Sequence, residues 1–153
     1  MTDFAATKAM FDLPEGVIYL DGNSLGPLPS AAKDRVANMM TEEWGKMLIT
    51  GWNKAGWMQK STAVGNRIAR LIGAEEDHVI MGDTLSIKVY QAVASALEMN
   101  PSRKVVLSDN GNFPSDLYIV QGLLKSLGAE YELRVVDPEV VAENITDDVA
   151  VLM

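Results

Sequence analysis

The order of secondary structure is clearest at residues 104–117, which are KVVLSDNGNFPSDL. The apolar run 104–108 is typical of a buried parallel strand, and the polar turn 109–115 contains glycine and proline, which end regular structure. The helix that follows is predicted to end at Gly128 and to face inward with four apolar residues: Leu117, Val120, Leu124 and Leu127. A strand, a turn and an amphipathic helix in this order indicate part of a βαβ unit.

The segments on either side continue the alternation. Upstream, a strand is predicted at 78–81, followed by a helix that ends at 100–101 and whose inward face holds Ile87, Tyr90, Val93, Ala94 and Leu97. Downstream, strands are predicted at 131–136 and 149–153. Strands separated by helices imply right-handed crossovers and a mostly parallel sheet with helices on both faces. The predicted fold class is α/β.

The amino-terminal part has helical periodicity without strands of this kind. One helix is predicted from an N-cap at Ser30 to near Gly51, and a second over 61–72 with Gly73 as its stop. We therefore expect an amino-terminal arm with helices over 1–60, and a domain with the parallel sheet over 61–153.

Composition limits the classes of function. The chain has 153 residues, of which 48% are hydrophobic and 22% charged, as in ordinary globular proteins. A net charge of -8 argues against a nucleic-acid or anionic membrane partner. Without cysteine, and with His78 as the single histidine, no thiolate or polyhistidine metal site is expected. The start lacks a basic leader, and no apolar run approaches the roughly 18 to 20 residues of a membrane span, so a cytoplasmic protein is predicted.

Two polar loops lie where strands are predicted to lead into helices, which is where ligands bind in open parallel sheets. The first, 82–86, is GDTLS and offers hydroxyls and free N–H groups to a phosphate or carboxylate; a capped helix without a ligand is the alternative. The second, 112–116, is NFPSD. There Ser115 or Asp116 could cap the helix with Phe113 as a hydrophobic staple, or Phe113 could stack on a flat ligand while Asp116 orients it.

Two further segments stand out. Residues 21–29 are rich in glycine and proline, which favours a fixed backbone path. Trp52 and Trp57 each follow a glycine, and such tryptophans either fill a ligand site or an interface, or form a small buried cluster. Lys88 and Lys125 fall on helix faces predicted to be solvated, and His78 is expected at the surface rather than acting as a general base.

Taken together, five segments resemble the kynureninase family of pyridoxal-phosphate enzymes, which have the aspartate aminotransferase fold (fold type I). The segments are YLDGNSLGP at 19–27, GWNKAGW at 51–57, RIARLIGA at 67–74, GDTLS at 82–86 and GNFPSDLY at 111–118. The resemblance covers nearly the whole chain and implies hydrolysis of the Cβ–Cγ bond of L-kynurenine or 3-hydroxykynurenine. The products would be anthranilate or 3-hydroxyanthranilate and L-alanine, in tryptophan degradation.

The resemblance also implies roles for particular residues. Leu85 and Ser86 would hold the phosphate of pyridoxal 5'-phosphate, and Phe113 would stack on its pyridine ring. Pro114, Ser115 and Asp116 would complete that side of the pocket. Three residues would lie near the substrate: Asn23, Ser24 and Trp52. The family is expected to form homodimers with shared sites. Lys88 departs from the amide side chain expected at its position.

The chemistry of the family requires groups that are expected beyond residue 153. A Schiff-base lysine, a carboxylate for the pyridinium nitrogen and an arginine for the substrate carboxylate are all implied there. We therefore expect no catalytic residue in this chain, which would correspond to the amino-terminal part of the large domain. The alternatives are a non-catalytic remnant or interaction module, or another fold type I enzyme, since one fold hosts many reactions.

Overall fold

The computed structural model describes residues 3–153. The prediction that the chain starts without a leader rests partly on Met1 and Thr2, which lie outside the described residues. The chain divides into two units, one ending at Ile80 and the other spanning Met81–Met153. They are described separately. The boundary predicted between residues 60 and 61 falls inside a helix, Trp57–Ile72.

The first unit begins with short elements. Helix α1 (Phe4–Lys8) is capped by Asp3, whose side chain accepts the N–H groups of Ala5 and Ala6 at 3.0 Å. Strand β1 (Phe11–Asp12) then pairs antiparallel with β2 (Leu28–Pro29). This pairing holds the carboxyl-terminal end of the glycine- and proline-rich segment 21–29.

A series of helical turns follows β2. Helix α2 (Ser30–Asn38) continues through a π-helical turn (Met39–Trp44) into α3 (Gly45–Met47), a 3-10 turn (Leu48–Thr50) and α4 (Gly51–Lys54). The predicted N-cap is wrong, because Pro29 occupies that position and Ser30 is the first helical residue. The Ser30 hydroxyl instead donates a hydrogen bond to Asp12 Oδ1 at 2.8 Å, so it joins the helix to β1.

Helix α5 (Trp57–Ile72) is the longest of the first unit and begins four residues before the predicted start. Gly73 ends it in the left-handed conformation (φ 73°), as predicted. Gly65 is buried in the middle of α5, where the backbone of Val79 and Ile80 packs against it. The strand predicted at 78–81 does not form, since these residues belong to none of the five strands of the described chain.

The second unit contains the parallel sheet. Helix α6 (Leu85–Met99) leads to β3 (Val105–Asp109), and α7 (Pro114–Leu127) connects β3 to β4 (Glu132–Val136). Two 3-10 turns, Pro138–Val140 and Ala142–Asn144, precede β5 (Val149–Leu152). The strand order is β4-β3-β5 with all pairs parallel. The predicted α/β class and parallel strands are confirmed.

Two apolar clusters cover the two faces of the sheet. Helices α6 and α7 both pack on the face of Val106, in a cluster of six buried residues: Val93, Leu97, Val106, Val120, Leu123 and Leu124. On the other face, Val105 and Leu107 pack with Val149 and with Val141 next to the 3-10 turns. The expectation of helices on both faces is therefore wrong within this unit. The β4–β5 connection forms two short 3-10 turns instead of a longer helix, and Val141 between them packs on the second face.

The prediction for the α7 face needs one change. Val120 and Leu124 are buried as expected, but Leu127 is 45% exposed and Leu123 takes the inward position. Among the helices formed by residues 3–153, none is both long and apolar enough to cross a bilayer.

Candidate functional site

The loop that precedes α6 leaves the start of this helix open. Thr84 is the N-cap residue, with extended backbone, and its side chain makes no capping hydrogen bond. The first N–H groups of a helix have no partner within the helix, and the helix dipole makes this end attractive to an anion. The alternative of a side-chain-capped helix is wrong for this loop. Ser86, half-buried in the first turn, adds a hydroxyl, whereas Leu85 is 65% exposed.

The side chain of Lys88, in the first turn of α6, contacts this loop, a contact that the sequence did not indicate. Its side chain is half-buried rather than solvated and folds back so that its ammonium end lies against Gly82. The ammonium donates a hydrogen bond to Gln91 Oε1 at 3.0 Å. Lys125 on α7 is exposed, as predicted.

The loop between β3 and α7 places an aromatic ring at the carboxyl end of the central strand. Phe113 is the N-cap residue of α7 without a capping side chain, and Pro114 occupies the first turn. Ser115 and Asp116 are helical residues, and the Ser115 hydroxyl contacts Asp116 Oδ1 at 3.4 Å rather than a backbone N–H group. The capping interpretation is therefore wrong here too. The Phe113 ring is 75% exposed, so it is not a hydrophobic staple but a ring free to stack.

The side chain of Asn112 fixes this loop to the sheet. Its amide donates hydrogen bonds to the hydroxyl of Ser108 at 2.9 Å and to the carbonyl of Met153 at 3.4 Å. Ser108 is fully buried in β3, and Met153 follows β5. The sequence analysis missed this contact. Asparagine is common in turns for purely local reasons, so only the sheet topology reveals that it spans two strands.

One shallow cavity lies between the two helices of the second unit. Ser86 of α6 and Ile119 of α7 line this cavity of about 200 Å³, together with Ile87 and Tyr90. The start of α6 therefore lies beside the second turn of α7. Phe113, at the start of α7, is not among the residues that line this cavity.

The residues predicted near the substrate lie in the first unit. Asn23 and Ser24 are exposed in a turn, where the Ser24 hydroxyl donates a hydrogen bond to Asp21 Oδ1 at 2.7 Å. Tyr19 closes the same segment by donating to the Leu25 carbonyl at 2.6 Å. Among the contacts of the described residues, no hydrogen bond or ring contact joins Trp52 to either Asn23 or Ser24.

The two tryptophans of residues 51–57 contact each other. Trp57 packs so closely on Gly51 that a Cβ there would lie 2.9 Å from the indole ring, and it meets Trp52 edge to face at 6.2 Å between ring centroids. Its indole N–H donates to Glu43 Oε2 at 2.9 Å. Trp57 is thus part of a packed cluster, and Trp52, which contacts it, is 46% exposed.

Glu43 is a buried carboxylate that sequence reasoning did not single out. The Trp57 indole N–H, and then the Arg35 guanidinium at 2.7 Å, hold the pKa of Glu43 below its usual value. A buried charge needs such partners, so we assign it to the stability of the α2–α5 packing. No spacing pattern in the sequence connects these three residues.

His78 lies at the surface, as predicted, with its side chain 67% exposed and 3.7 Å from a carboxylate oxygen of Glu75. Among the described residues, no group of three or more carboxylate or histidine side chains could hold a metal ion.

Comparisons with known proteins relate nearly all of this sequence to one kind of enzyme. The chain is 47% identical to a kynureninase of Pseudomonas fluorescens over 97% of its own length. It is 45% identical to a kynureninase of Burkholderia mallei and 44% identical to one of Burkholderia pseudomallei, over the same share. In each case it spans 37% of the length of the relative. No family model matches the chain.

Proposed function

The chain is related to kynureninase over nearly all of its length, and on this premise we propose that the protein hydrolyses the Cβ–Cγ bond of L-kynurenine or 3-hydroxykynurenine. The products are anthranilate or 3-hydroxyanthranilate and L-alanine. The observation that carries the proposal is the identity of 44–47% over 97% of the chain. Because the chain spans 37% of the relatives' length, activity, substrate and partners are proposed for the whole protein.

The proposal includes pyridoxal 5'-phosphate as cofactor and a fold type I domain of which the second unit is a part. The uncapped start of α6 and the Ser86 hydroxyl suit a phosphate, and the exposed Phe113 ring suits the face of a pyridine ring. When bound, the cofactor supplies an electron sink for the bonds of the substrate that react. The predicted division into an arm with substrate loops (1–60) and the cofactor domain (61–153) is part of this proposal.

The chain's own residues would act by binding and orientation. The backbone at Leu85 and the hydroxyl of Ser86 hold the phosphate, since N–H groups at a helix start bind phosphate without a counter-charge of their own. Phe113 covers one face of the ring and excludes water from it. Pro114 fixes the backbone at the helix start, and Asp116 in the first turn of α7 orients a polar group of the ligand.

On the substrate side, we propose that Trp52 contacts the aromatic ring of kynurenine. Trp52 is 46% exposed, and its ring contacts Trp57 edge to face. Asn23 and Ser24 lie in a turn that is tied down by hydrogen bonds from Ser24 and Tyr19, so their side chains are presented by a defined backbone. A homodimer with shared sites is the proposed assembly, as in the family.

The decisive test starts from the gene. Sequencing beyond the codon for Met153 should reveal an in-frame continuation that supplies a lysine preceded by tyrosine. The complete product should then release anthranilate from kynurenine in the presence of pyridoxal phosphate, measured by anthranilate fluorescence.

The 153-residue chain alone is the control. We expect it to produce no anthranilate and to retain no cofactor covalently after borohydride reduction. Anthranilate production by this chain would show that the essential lysine is not missing from it. A complete product that does not act on kynurenine would favour a non-catalytic protein or another enzyme of the same fold.

A further inference from the structure

The hydrogen bonds of Asn112 point to a role in positioning the neighbouring residue Phe113. Asn112 immediately precedes Phe113, the ring that the proposed function places against the cofactor. Its amide has two hydrogens, and the structure uses both, one on Ser108 in the central strand and one on Met153 after the edge strand. One side chain therefore links the carboxyl ends of two neighbouring strands to the backbone that carries Phe113.

The anchor at the sheet is rigid. Ser108 is 0% exposed, between buried Leu107 and the loop. The Met153 carbonyl belongs to a residue whose own N–H donates to the Leu107 carbonyl at 2.9 Å, so it is held by the sheet ladder. Buried side chains and ladder groups have little freedom to move. Asn112 consequently transmits the fixed position of the sheet to the loop.

At the other end of the loop, the Phe113 carbonyl accepts the Asp116 N–H at 3.0 Å, which holds the backbone there but not the ring. The N-cap residue Phe113 has no capping side chain, and the next residue, Pro114, has no N–H to donate. The Phe113 ring is 75% exposed and is not held by packing. The direction of this ring therefore depends on the backbone at residue 112.

We propose that Asn112 is a positioning residue, whose amide holds the Phe113 ring in the orientation in which it stacks on the cofactor. This inference rests on the proposed function. Without the two hydrogen bonds, the loop would sample more conformations, and binding would have to order it again. Ordering a side chain or loop on binding weakens affinity. Replacing Asn112 should therefore weaken cofactor binding more than it lowers the stability of the fold.

The test is a double-mutant cycle in the complete protein, with pyridoxal 5'-phosphate as the ligand. Cofactor affinity of the apo-protein is measured by visible absorbance titration, and the environment of the bound ring by visible circular dichroism. We expect Asn112→Ala to raise the Kd by about three- to tenfold and to reduce the dichroism signal. The single variant Phe113→Ala should raise the Kd by at least as much.

The double variant separates positioning from a merely structural role. If Asn112 acts through Phe113, adding Asn112→Ala to Phe113→Ala should change the Kd little further, since the two substitutions remove the same interaction. If Asn112→Ala raises the Kd by the same factor in the wild type and in Phe113→Ala, the inference is overturned. The matched control is Asn144→Ala in the β4–β5 connection, because the Asn144 amide donates to the Val140 carbonyl four residues before it and not to the loop that carries Phe113. Its Kd should stay within about twofold of the wild type, as for a substitution outside the network.

The outcomes also separate this inference from the proposed function. A complete protein that does not bind pyridoxal phosphate would refute the proposed function and the inference with it. A protein that binds the cofactor and depends on Phe113, but is unaffected by Asn112→Ala, would refute the inference alone. Thermal unfolding of each apo-variant shows whether a change in Kd reflects partial unfolding.

Discussion

The contact between Gly65 and the segment after α5 gives the sharpest prediction for the first unit. A Cβ at Gly65 would lie 2.6 Å from the carbonyl carbon of Val79 and 3.0 Å from the Cα of Ile80, and closer still to the Val79 oxygen. These are backbone atoms, which cannot rotate away as a side chain can. Gly65→Ala must therefore displace the segment or bend the helix.

The size of the effect follows from two opposed terms. Overpacking a close contact costs about 1–3 kcal/mol, and a clash with backbone belongs at the upper end. Alanine in place of glycine inside a helix returns about 1 kcal/mol through helix propensity. We expect the free energy of unfolding of the first unit to fall by roughly 2 kcal/mol, the difference of these terms.

Gly122→Ala in α7 is the matched control, because no atom lies within 4 Å of a Cβ there. It should stabilise its unit by up to about 1 kcal/mol. Urea unfolding separates the two variants. All three tryptophans, at 44, 52 and 57, lie in the first unit, so their fluorescence reports that unit while far-ultraviolet circular dichroism reports the whole chain. A Gly65→Ala variant as stable as the wild type would refute the packing of residues 79–80 on α5.

Three other changes test the second unit and the buried carboxylate. Leu107→Ala, at a fully buried position of β3, should lower the free energy of unfolding by about 2–5 kcal/mol in urea unfolding. The pKa of Asp148 is lowered to about 2, chiefly by the Arg134 guanidinium 2.8 Å away. The ionised Asp148 therefore stabilises the fold above its ordinary pKa of 3.8, and this contribution is lost as the pH falls through about 2. In Arg134→Gln the carboxyl should titrate closer to 3.8 by NMR, and an unchanged titration would contradict the ion pair. Trp57→Phe should raise the pKa of Glu43 toward its usual value, seen in the same NMR titration.

Local patterns in the sequence were sufficient to predict most helices and strands of the second unit. The apolar run at 105–108 forms a buried central strand, and the glycine and the Asn-Pro pair after the helices mark where they end. The outcome differs at 78–81, although these residues have the pattern of a strand. A strand exists only when a neighbour supplies hydrogen bonds, and residues 79 and 80 pack against Gly65 instead.

The candidate site shows the same division between local and distant effects. Residue types alone indicated anion binding at 82–86 and an aromatic contact at Phe113, but they could not exclude side-chain capping of the two helices. The structure excludes it, because Thr84 and Phe113 are N-cap residues without capping side chains. Whether a side chain caps a helix depends on its rotamer and on small differences in the backbone angles, and the residue type specifies neither.

The sequence by itself determined the α/β class, the order of helices and strands along the second unit, and the relationship to kynureninase. Each of these can be read from residues that are close together in the chain. Only the tertiary structure decided which long-range pairs form. Glu43 with Trp57, Gly65 with Val79, and Asn112 with Ser108 and Met153 are examples. Each depends on two elements that fold next to each other, so the hydrogen bond or close contact exists only after packing has brought them together.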